Sequence, residues 1–369
     1  MRVLLTGGGT AGHVNPALAI ADVIKKYDPE AVIAYIGTKK GIENRLVGKE
    51  GYDIFHVEAR GISKSLNPKN LIAAWYYITA PSAAKRVIRR FKPDIVIGTG
   101  GYVCYAPLKA AAKLGIPTMV HESNAKPGKA VKMLQHKVDR VLLNFAKSAD
   151  ELEAKDKLRV VGNPLRGEFG AYSKAEARKM LGIDGKYKHV LLSYGGSLGA
   201  PAINTAALEI MNEYVKNHPE VLHIHATGKG RFDEFMVGFK SSGLDACENI
   251  QAGDYIYDMP QKLAAADLVI SRAGAMTVTE MARMQKACIM IPSPYVADNH
   301  QYKNAKVLAD ADAVALIEEK ELTDGRIVRE VEALLSDAPR RRKMEECIAA
   351  FAGEDAGELI YKEIKELVK

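Results

Sequence analysis

The chain's 369 residues, 47% hydrophobic and 26% charged, suit a soluble two-domain protein, and no apolar run approaches the roughly 18 residues that cross a bilayer. Four scattered cysteines, Cys104, Cys247, Cys288 and Cys347, exclude a disulfide framework and a C-x-x-C zinc site and fit a reducing compartment. The net charge of +7 divides into +13 over residues 1–166 (27 Lys+Arg, 14 Asp+Glu) and −6 over the rest (25 and 31), which argues against an even nucleic-acid coat and for an anionic partner met by the first half.

Residues 2–6 open on a strand pattern, so no leader peptide is expected. "GGGTAGHVNP" (7–16) then turns into a helix, and Gly7, Gly9 and Gly12 satisfy G-x-G-x-x-G. A dinucleotide fold wants an acid at the end of the second strand. The strand at 31–36 runs instead into Thr38, Lys39 and Lys40, against a nicotinamide or flavin; a tight turn without ligand is the other reading. His13 opens the helix, whose positive end favours the neutral imidazole of a general base, or it packs the turn. After a strand at 53–58, no acid occurs between Glu58 and Asp94. There Leu71, Trp75 and Ile78 share a helical face near Lys85, Arg86, Arg89 and Arg90. Such a helix rests on anionic lipid, or packs on the sheet with a solvated basic face.

The strand at 94–98 leads into "GTGGY" (98–102). The next, 117–121, leads into "HESNAKPG" (121–128), where His121, Glu122 and Asn124 are expected to line a cleft; turn-making accounts equally for Asn124. A strand at 138–143 precedes "VVGNPLRGEF" (160–169), where Gly and Pro mark a domain boundary. The pattern then repeats, "VLLSYGGSLG" (190–199) rhyming with "VLLTGGGTAG" (3–12). Strands at 189–194, 221–226, 267–271, 287–291 and 313–317 alternate with helical segments. "SRAGAMTVTE" (271–280) opens a helix whose Glu280 grips ribose hydroxyls or is merely solvated. In "DNHQYKNA" (298–305) Gln301 is suited to sugar hydroxyls. Asp310 and Asp312 form D-x-D after a helix rather than at a strand end, so no metal clamp is read there. Charged helices follow near 323–335, 338–350 and 355–368.

Apolar runs alternating with helices are the βαβ signature of parallel sheets covered on both faces. The fold expected is α/β, with two Rossmann-like doubly wound parallel-sheet domains facing a cleft. Ligands in such sheets bind beyond the carboxyl ends of the strands. Glycine allows close backbone approach, and helix N-termini bind anionic oxygen. Several such loops point to more than one phosphorylated ligand.

"GGGTAGHVNP", "GGYVCYAP", "HESNAKPG", "VGNPLR", "GGSLGA", "SRAGAMTVTE" and "DNHQYKNA", in this order and spacing over essentially the whole chain, resemble the MurG family. These are the UDP-N-acetylglucosamine:lipid I N-acetylglucosaminyltransferases of bacterial wall synthesis. The resemblance implies the GT-B fold, with residues 1–163 as an acceptor- and membrane-binding domain, a C-terminal helix (355–369) packing back on it, and 164–354 as the UDP-GlcNAc domain. It implies donor contacts from Thr10, Ala11, Gly12, Asn124, Arg166, Ser197, the Ile256 backbone, Ala275, Met276, Thr277, Val278, Thr279, Glu280 and Gln301. Gly8, Gly9, Gly100 and Gly101 would face the acceptor diphosphate, and His13 would be the base of an inverting transfer to the 4-hydroxyl of MurNAc.

Neither cofactor nor metal is implied. The implied partners are UDP-GlcNAc, lipid I, an anionic membrane surface and the cell-wall and division machinery, with no nucleic acid; the place is the cytoplasmic face of the bacterial plasma membrane. Three departures stand out: Ala11 for a frequent glycine, Cys104-Tyr105 for Ser-Gly, and His300 for the first glutamine of a Gln-Gln pair. Rival readings are a UDP-sugar:diacylglycerol glycosyltransferase, a nicotinamide-dependent reductase and a non-catalytic nucleotide-sugar sensor.

Overall fold

In the computed structural model, residues 1–60, 69–166, 169–196, 198–353 and 355–368 are described, without the side chains of 69–74 and 297. The chain forms two units, Met1–Arg166 with Gly353–Lys369, and Gly167–Ala352. The first unit holds β1 (Arg2–Thr6), β2 (Val32–Gly37), β3 (Asp53–His56), β4 (Ile95–Gly98), β5 (Thr118–Glu122), β6 (Arg140–Leu143) and β7 (Leu158–Val160). Their order is β3-β2-β1-β4-β5-β6-β7, all parallel. Helices α1 (Ala11–Tyr27), α2 (Glu43–Lys49), α3 (Lys69–Phe91), α4 (Tyr105–Lys113) and α5 (Lys129–Leu134) join them. Because helices cover both faces, side chains pointing either way from a central strand are apolar; Ile95, Val96 and Ile97 have no exposed area.

The second unit repeats the plan with β8 (His189–Tyr194), β9 (Val221–Ala226), β10 (Ile250–Gly253), β11 (Leu268–Ser271), β12 (Cys288–Met290) and β13 (Ala315–Leu316). Their order is β10-β9-β8-β11-β12-β13, again parallel. Its helices are α6 (Lys174–Met180), α7 (Pro201–Glu213), α8 (Phe232–Ser241), α9 (Met259–Ala265), α10 (Ala275–Met284), α11 (His300–Ala309), α12 (Arg326–Ser336) and α13 (Ala338–Ala349). In each sheet the order reverses beside the first strand, between β1 and β4 and between β8 and β11. Loops leaving these neighbours pass to opposite faces and open a crevice at their carboxyl ends.

Two strands lie outside the sequence expectation, and both are sheet edges. β7 has no buried residue and β10 only one. An edge strand need not carry a continuous apolar run, so neither stands out as a sequence pattern.

The last helix, α14 (Ala356–Leu367), belongs to the first unit. Ile360 and Ile364, four apart on one face, are fully buried against the apolar side of α1, with Ile20 and Ile24 in the same core. Gly357 lets the helices close, since a Cβ there would stand 2.8 Å from Val23 Cγ2. Arg140 Nε donates to Glu363 Oε2 at 2.9 Å, tying the helix to β6.

Candidate functional site

At the carboxyl ends of β1 and β4, the two glycine loops of the first unit pack on each other. Gly9, Gly100 and Gly101 have φ of +87°, +93° and +74°, the left-handed region that favours glycine. Space demands glycine as well: a Cβ on Gly101 would overlap Gly8 O, and one on Gly100 would stand 2.9 Å from His13 Cδ2. His13 therefore lies between the loops. Its carbonyl accepts from Thr99 Oγ1 at 2.6 Å, and its Nδ1 lies 3.1 Å from Thr10 Oγ1. The helices leaving these loops, α1 and α4, have no acid in the first turn and no side-chain cap from Thr10 or Cys104. Their first turns thus carry no acid of their own to offset the positive helix ends. Cys104 is turned inward, its Sγ donating to Gly101 O at 3.2 Å.

An acid does stand near the second strand, but facing inward. Glu43, at the start of α2, is fully buried, and its Oε1 accepts from Thr38 N at 2.8 Å and Thr38 Oγ1 at 2.7 Å. Its Oε2 has no partner among the described residues and lies behind Gly8. The sequence signal was an acid five residues after Thr38. Its engagement with the β2–α2 loop is what sequence could not disclose.

His121 and Glu122, expected to line a cleft, are instead interior braces. Both are buried. His121 Nε2 donates to Gly162 O at 2.8 Å, and burial lowers its pKa to about 4, so the ring is neutral. Glu122 Oε1 accepts from Asn124 N (2.9 Å) and Nδ2 (3.1 Å), and its Oε2 from Gly128 N (2.7 Å). Burial raises this carboxyl's pKa while those donors pull it down. Together they fix the shape of the loop that carries Asn124.

Arg166 is also engaged within the first unit. Its Nε donates to Asp22 Oδ2 at 2.6 Å, and Nη1 and Nη2 donate to Glu50 at 3.1 and 2.8 Å. The guanidinium holds the Glu50 carboxyl below its ordinary range. On α3, Ala80, Ala84, Ile88 and Phe91 pack inward, while Trp75 is 63% and Ile78 73% exposed. Arg86, Arg89 and Arg90 are exposed and Lys85 half-buried. The side chain of Leu71 lies outside the described residues. Among the described residues no helix is long and apolar enough to cross a membrane.

In the second unit, the corresponding loops leave β8 and β11. Gly199 (φ +74°) is pressed so closely on Thr227 O that a Cβ would overlap it. Ser197, in this loop, lies outside the described residues. Helices α7 and α10 begin here, at Pro201 and Ala275, again without an acid in the first turn or a side-chain cap. Bare starts recur at α5, α9, α11 and α12, whereas α6, α13 and α14 are capped by Ser173, Asp337 and Asp355; at the crevice loops they coincide with glycine turns. Arg272 Nη1 donates to Ile291 O at 3.0 Å, and Asn304 Nδ2 to Ala273 O at 3.2 Å, holding the loop before α10. Gln301 Oε1 accepts from Ser293 N at 2.9 Å.

Along α10 the expected donor residues divide. Val278 and Thr279 are buried, so their side chains face inward, whereas Ala275, Met276, Thr277 and Glu280 are partly exposed. Burial pushes the Glu280 carboxyl up to about 8. Tyr194, at the end of β8, is pushed well above its ordinary value by burial and then by the Glu280 charge, and its hydroxyl has no partner among the described residues. Ile256 is buried and can offer a ligand only its backbone. Asp310 and Asp312 pair with Lys306 and Lys343.

Residues 3–143 match the glycosyltransferase family 28 N-terminal domain and residues 190–360 the family 28 C-terminal domain. A UDP-N-acetylglucosamine–N-acetylmuramyl-(pentapeptide) pyrophosphoryl-undecaprenol N-acetylglucosamine transferase of Acetivibrio thermocellus is 40% identical over 369 residues, covering all of this chain and 99% of its own. A relative of the same description from Bacillus thuringiensis is 38% identical, with both chains fully covered. The crystal structure of Acinetobacter baumannii MurG superposes with a TM-score of 0.76 at 27% identity, over 99% of each chain.

Proposed function

The chain belongs to the family of UDP-N-acetylglucosamine–N-acetylmuramyl-(pentapeptide) pyrophosphoryl-undecaprenol N-acetylglucosamine transferases, and from that premise we propose how its residues divide the work. It is an inverting glycosyltransferase of peptidoglycan synthesis that moves GlcNAc from UDP-GlcNAc onto lipid I to make lipid II. Our reading gives the donor to the second unit and the acceptor diphosphate to the first. One observation supports both assignments: at each reversal of strand order, glycine loops run into helices with no acid in the first turn. Such a start attracts anionic oxygen.

In this scheme the Ile256 backbone meets the uracil edge, and Glu280 accepts from the ribose hydroxyls beside Tyr194. Ser197 and the starts of α7 and α10 receive the donor diphosphate, while Gln301 and Asn124, with Thr10, Ala11 and Gly12, meet the sugar. Residues Gly8, Gly9, Gly100 and Gly101 face the acceptor diphosphate. Arg166 becomes a donor ligand only in a state where its pairs with Asp22 and Glu50 are exchanged.

The acceptor's 4-hydroxyl oxygen attacks C1 of GlcNAc as the C1–O bond to UDP breaks, its electron pair leaving on the diphosphate. His13 takes the hydroxyl proton. With Nδ1–H donating to Thr10 Oγ1, Nε2 carries the lone pair that does so. Positive helix ends stabilise the departing UDP, which gains charge in the transition state.

The exposed face of α3, apolar at Trp75 and Ile78 and basic from Lys85 to Arg90, meets an anionic lipid surface. In this reading the enzyme works on the cytoplasmic face of the plasma membrane, with the cell-wall and division machinery as further partners.

Purified protein with labelled UDP-GlcNAc and a lipid I analogue should release UDP and label the acceptor. His13→Ala should lower kcat by about 100-fold or more with little change in KM for UDP-GlcNAc. Unchanged turnover in that variant would remove His13 as the base without touching the donor assignments.

A further inference from the structure

Arg166 closes the first unit, and the second begins at the next residue. All three nitrogens of its guanidinium are engaged inside the first unit. Nε donates to Asp22 on α1, and the Nη1–Nη2 edge donates to both carboxylate oxygens of Glu50, the residue that ends α2. A guanidinium fork meets a carboxylate and a phosphate in the same bidentate way. The edge that Glu50 occupies is therefore the edge a diphosphate needs, and carboxylate and diphosphate exclude each other.

Two features set this contact apart from an ordinary surface pair. Glu50 stands at the carboxyl end of α2, where the helix dipole disfavours an anion, so its charge does not serve its own helix. Asp22 and Glu50 also converge from different helices, and nearby Tyr52 is raised by burial and then by the charges of both. Carboxylates brought together in this way repel unless a cation lies between them, and Arg166 supplies that cation. The contact is specific in geometry yet open to water. The side chains of Arg166, Asp22 and Glu50 keep 34%, 42% and 34% of their area exposed, and pairs so exposed are weak enough for another anion to displace. When Arg166 leaves, water and the Lys49 charge remain to balance Glu50.

We propose that Asp22 and Glu50 form a latch that competes with the donor diphosphate for Arg166, so that UDP-GlcNAc gains the guanidinium only in molecules whose latch is open. The inference rests on the reading of Arg166 as a donor ligand and adds what regulates that ligand. Apparent donor affinity is then the intrinsic affinity scaled by the open fraction. Asp22 and Glu50 touch no substrate; they are positioning residues that act through Arg166. Because Arg166 is also where the first unit ends, donor binding and release of this stretch of chain from α1 and α2 become one event.

The test measures UDP-GlcNAc binding to the full-length protein by calorimetry, together with KM and kcat of transfer. It compares the parent, the double variant Asp22→Asn with Glu50→Gln, Arg166→Ala, and all three substitutions combined. The double variant keeps side-chain shape and removes charge at two partly exposed positions. It should tighten Kd for UDP-GlcNAc about fivefold, as two exposed ion pairs allow, and lower its KM in step, with KM for the lipid I analogue unchanged. In the Arg166→Ala background the same two substitutions should change Kd by less than about twofold. No tightening in the double variant, with Arg166→Ala still binding more weakly than the parent, would overturn the latch alone. An equal gain in the Arg166→Ala background would mean that the two acids repel the donor through space, and would also overturn it. If Arg166→Ala binds as tightly as the double variant, the donor reading of Arg166 falls, and the latch with it.

Discussion

Glu280, a partly exposed residue whose carboxyl is desolvated, contributes its own pH dependence to the stability of its unit. Its folded pKa of about 8 stands well above the ordinary 4.5 because burial penalises the charged form. Between those values the folded state binds more protons than the unfolded one. The contribution is therefore fully present below pH 4.5 and is lost as pH rises through 8. Urea midpoints measured without ligand should show Glu280→Gln gaining on the parent as pH rises from 5 to 8.5. A constant difference would mean that Glu280 is ionised throughout. The same environment suits a ligand, since hydroxyl donors reaching this carboxyl would compensate its ionised form. Sequence placed Glu280 late in a helix, where by position a solvated carboxylate is the plainer reading and a grip on ribose hydroxyls the lesser one. The neighbouring Tyr194 and the desolvation of the carboxyl add support to the ribose reading.

At the scale of elements, α3 is two-faced. Ala80, Ala84, Ile88 and Phe91 turn inward, and Trp75 and Ile78 turn out towards the end that precedes the arginines. The packed-helix reading accounts for the inward face, and the exposed opposite face is the one that the lipid reading requires. Burying one aromatic side chain and removing one juxtamembrane charge are each worth about 1 kcal/mol or more. Trp75→Ala with Arg89→Gln should thus weaken sedimentation with anionic vesicles by roughly tenfold or more, and added salt should weaken the parent as well. Equal binding of variant and parent would show that this face meets something else. The loop after β5 teaches the converse lesson. "HESNAKPG" is polar because its residues satisfy one another inside the fold, and polarity alone does not tell a brace from a ligand.

For the whole molecule, the chain's return to its first unit is the feature that binds its ends into one core. Ile360 and Ile364 are fully buried there with Ile20 and Ile24, so Ile364→Ala should cost about 2–5 kcal/mol, read as a lowered urea midpoint for the first unit. A loss below 0.5 kcal/mol would mean that α14 is dispensable to that core. Sequence by itself determined the alternation of strand and helix, the doubling of the plan, the glycine loops at strand ends and the basic half. Each of these is a local pattern of burial, turn chemistry or charge. Tertiary structure alone decided strand order, and with it which loops meet at the reversal of each sheet. It also engaged Arg166 with Asp22 and Glu50 and turned His121, Glu122 and Glu43 inward. These are choices of partner between residues distant in the chain, and partner choice depends on packing in space, which no local pattern records.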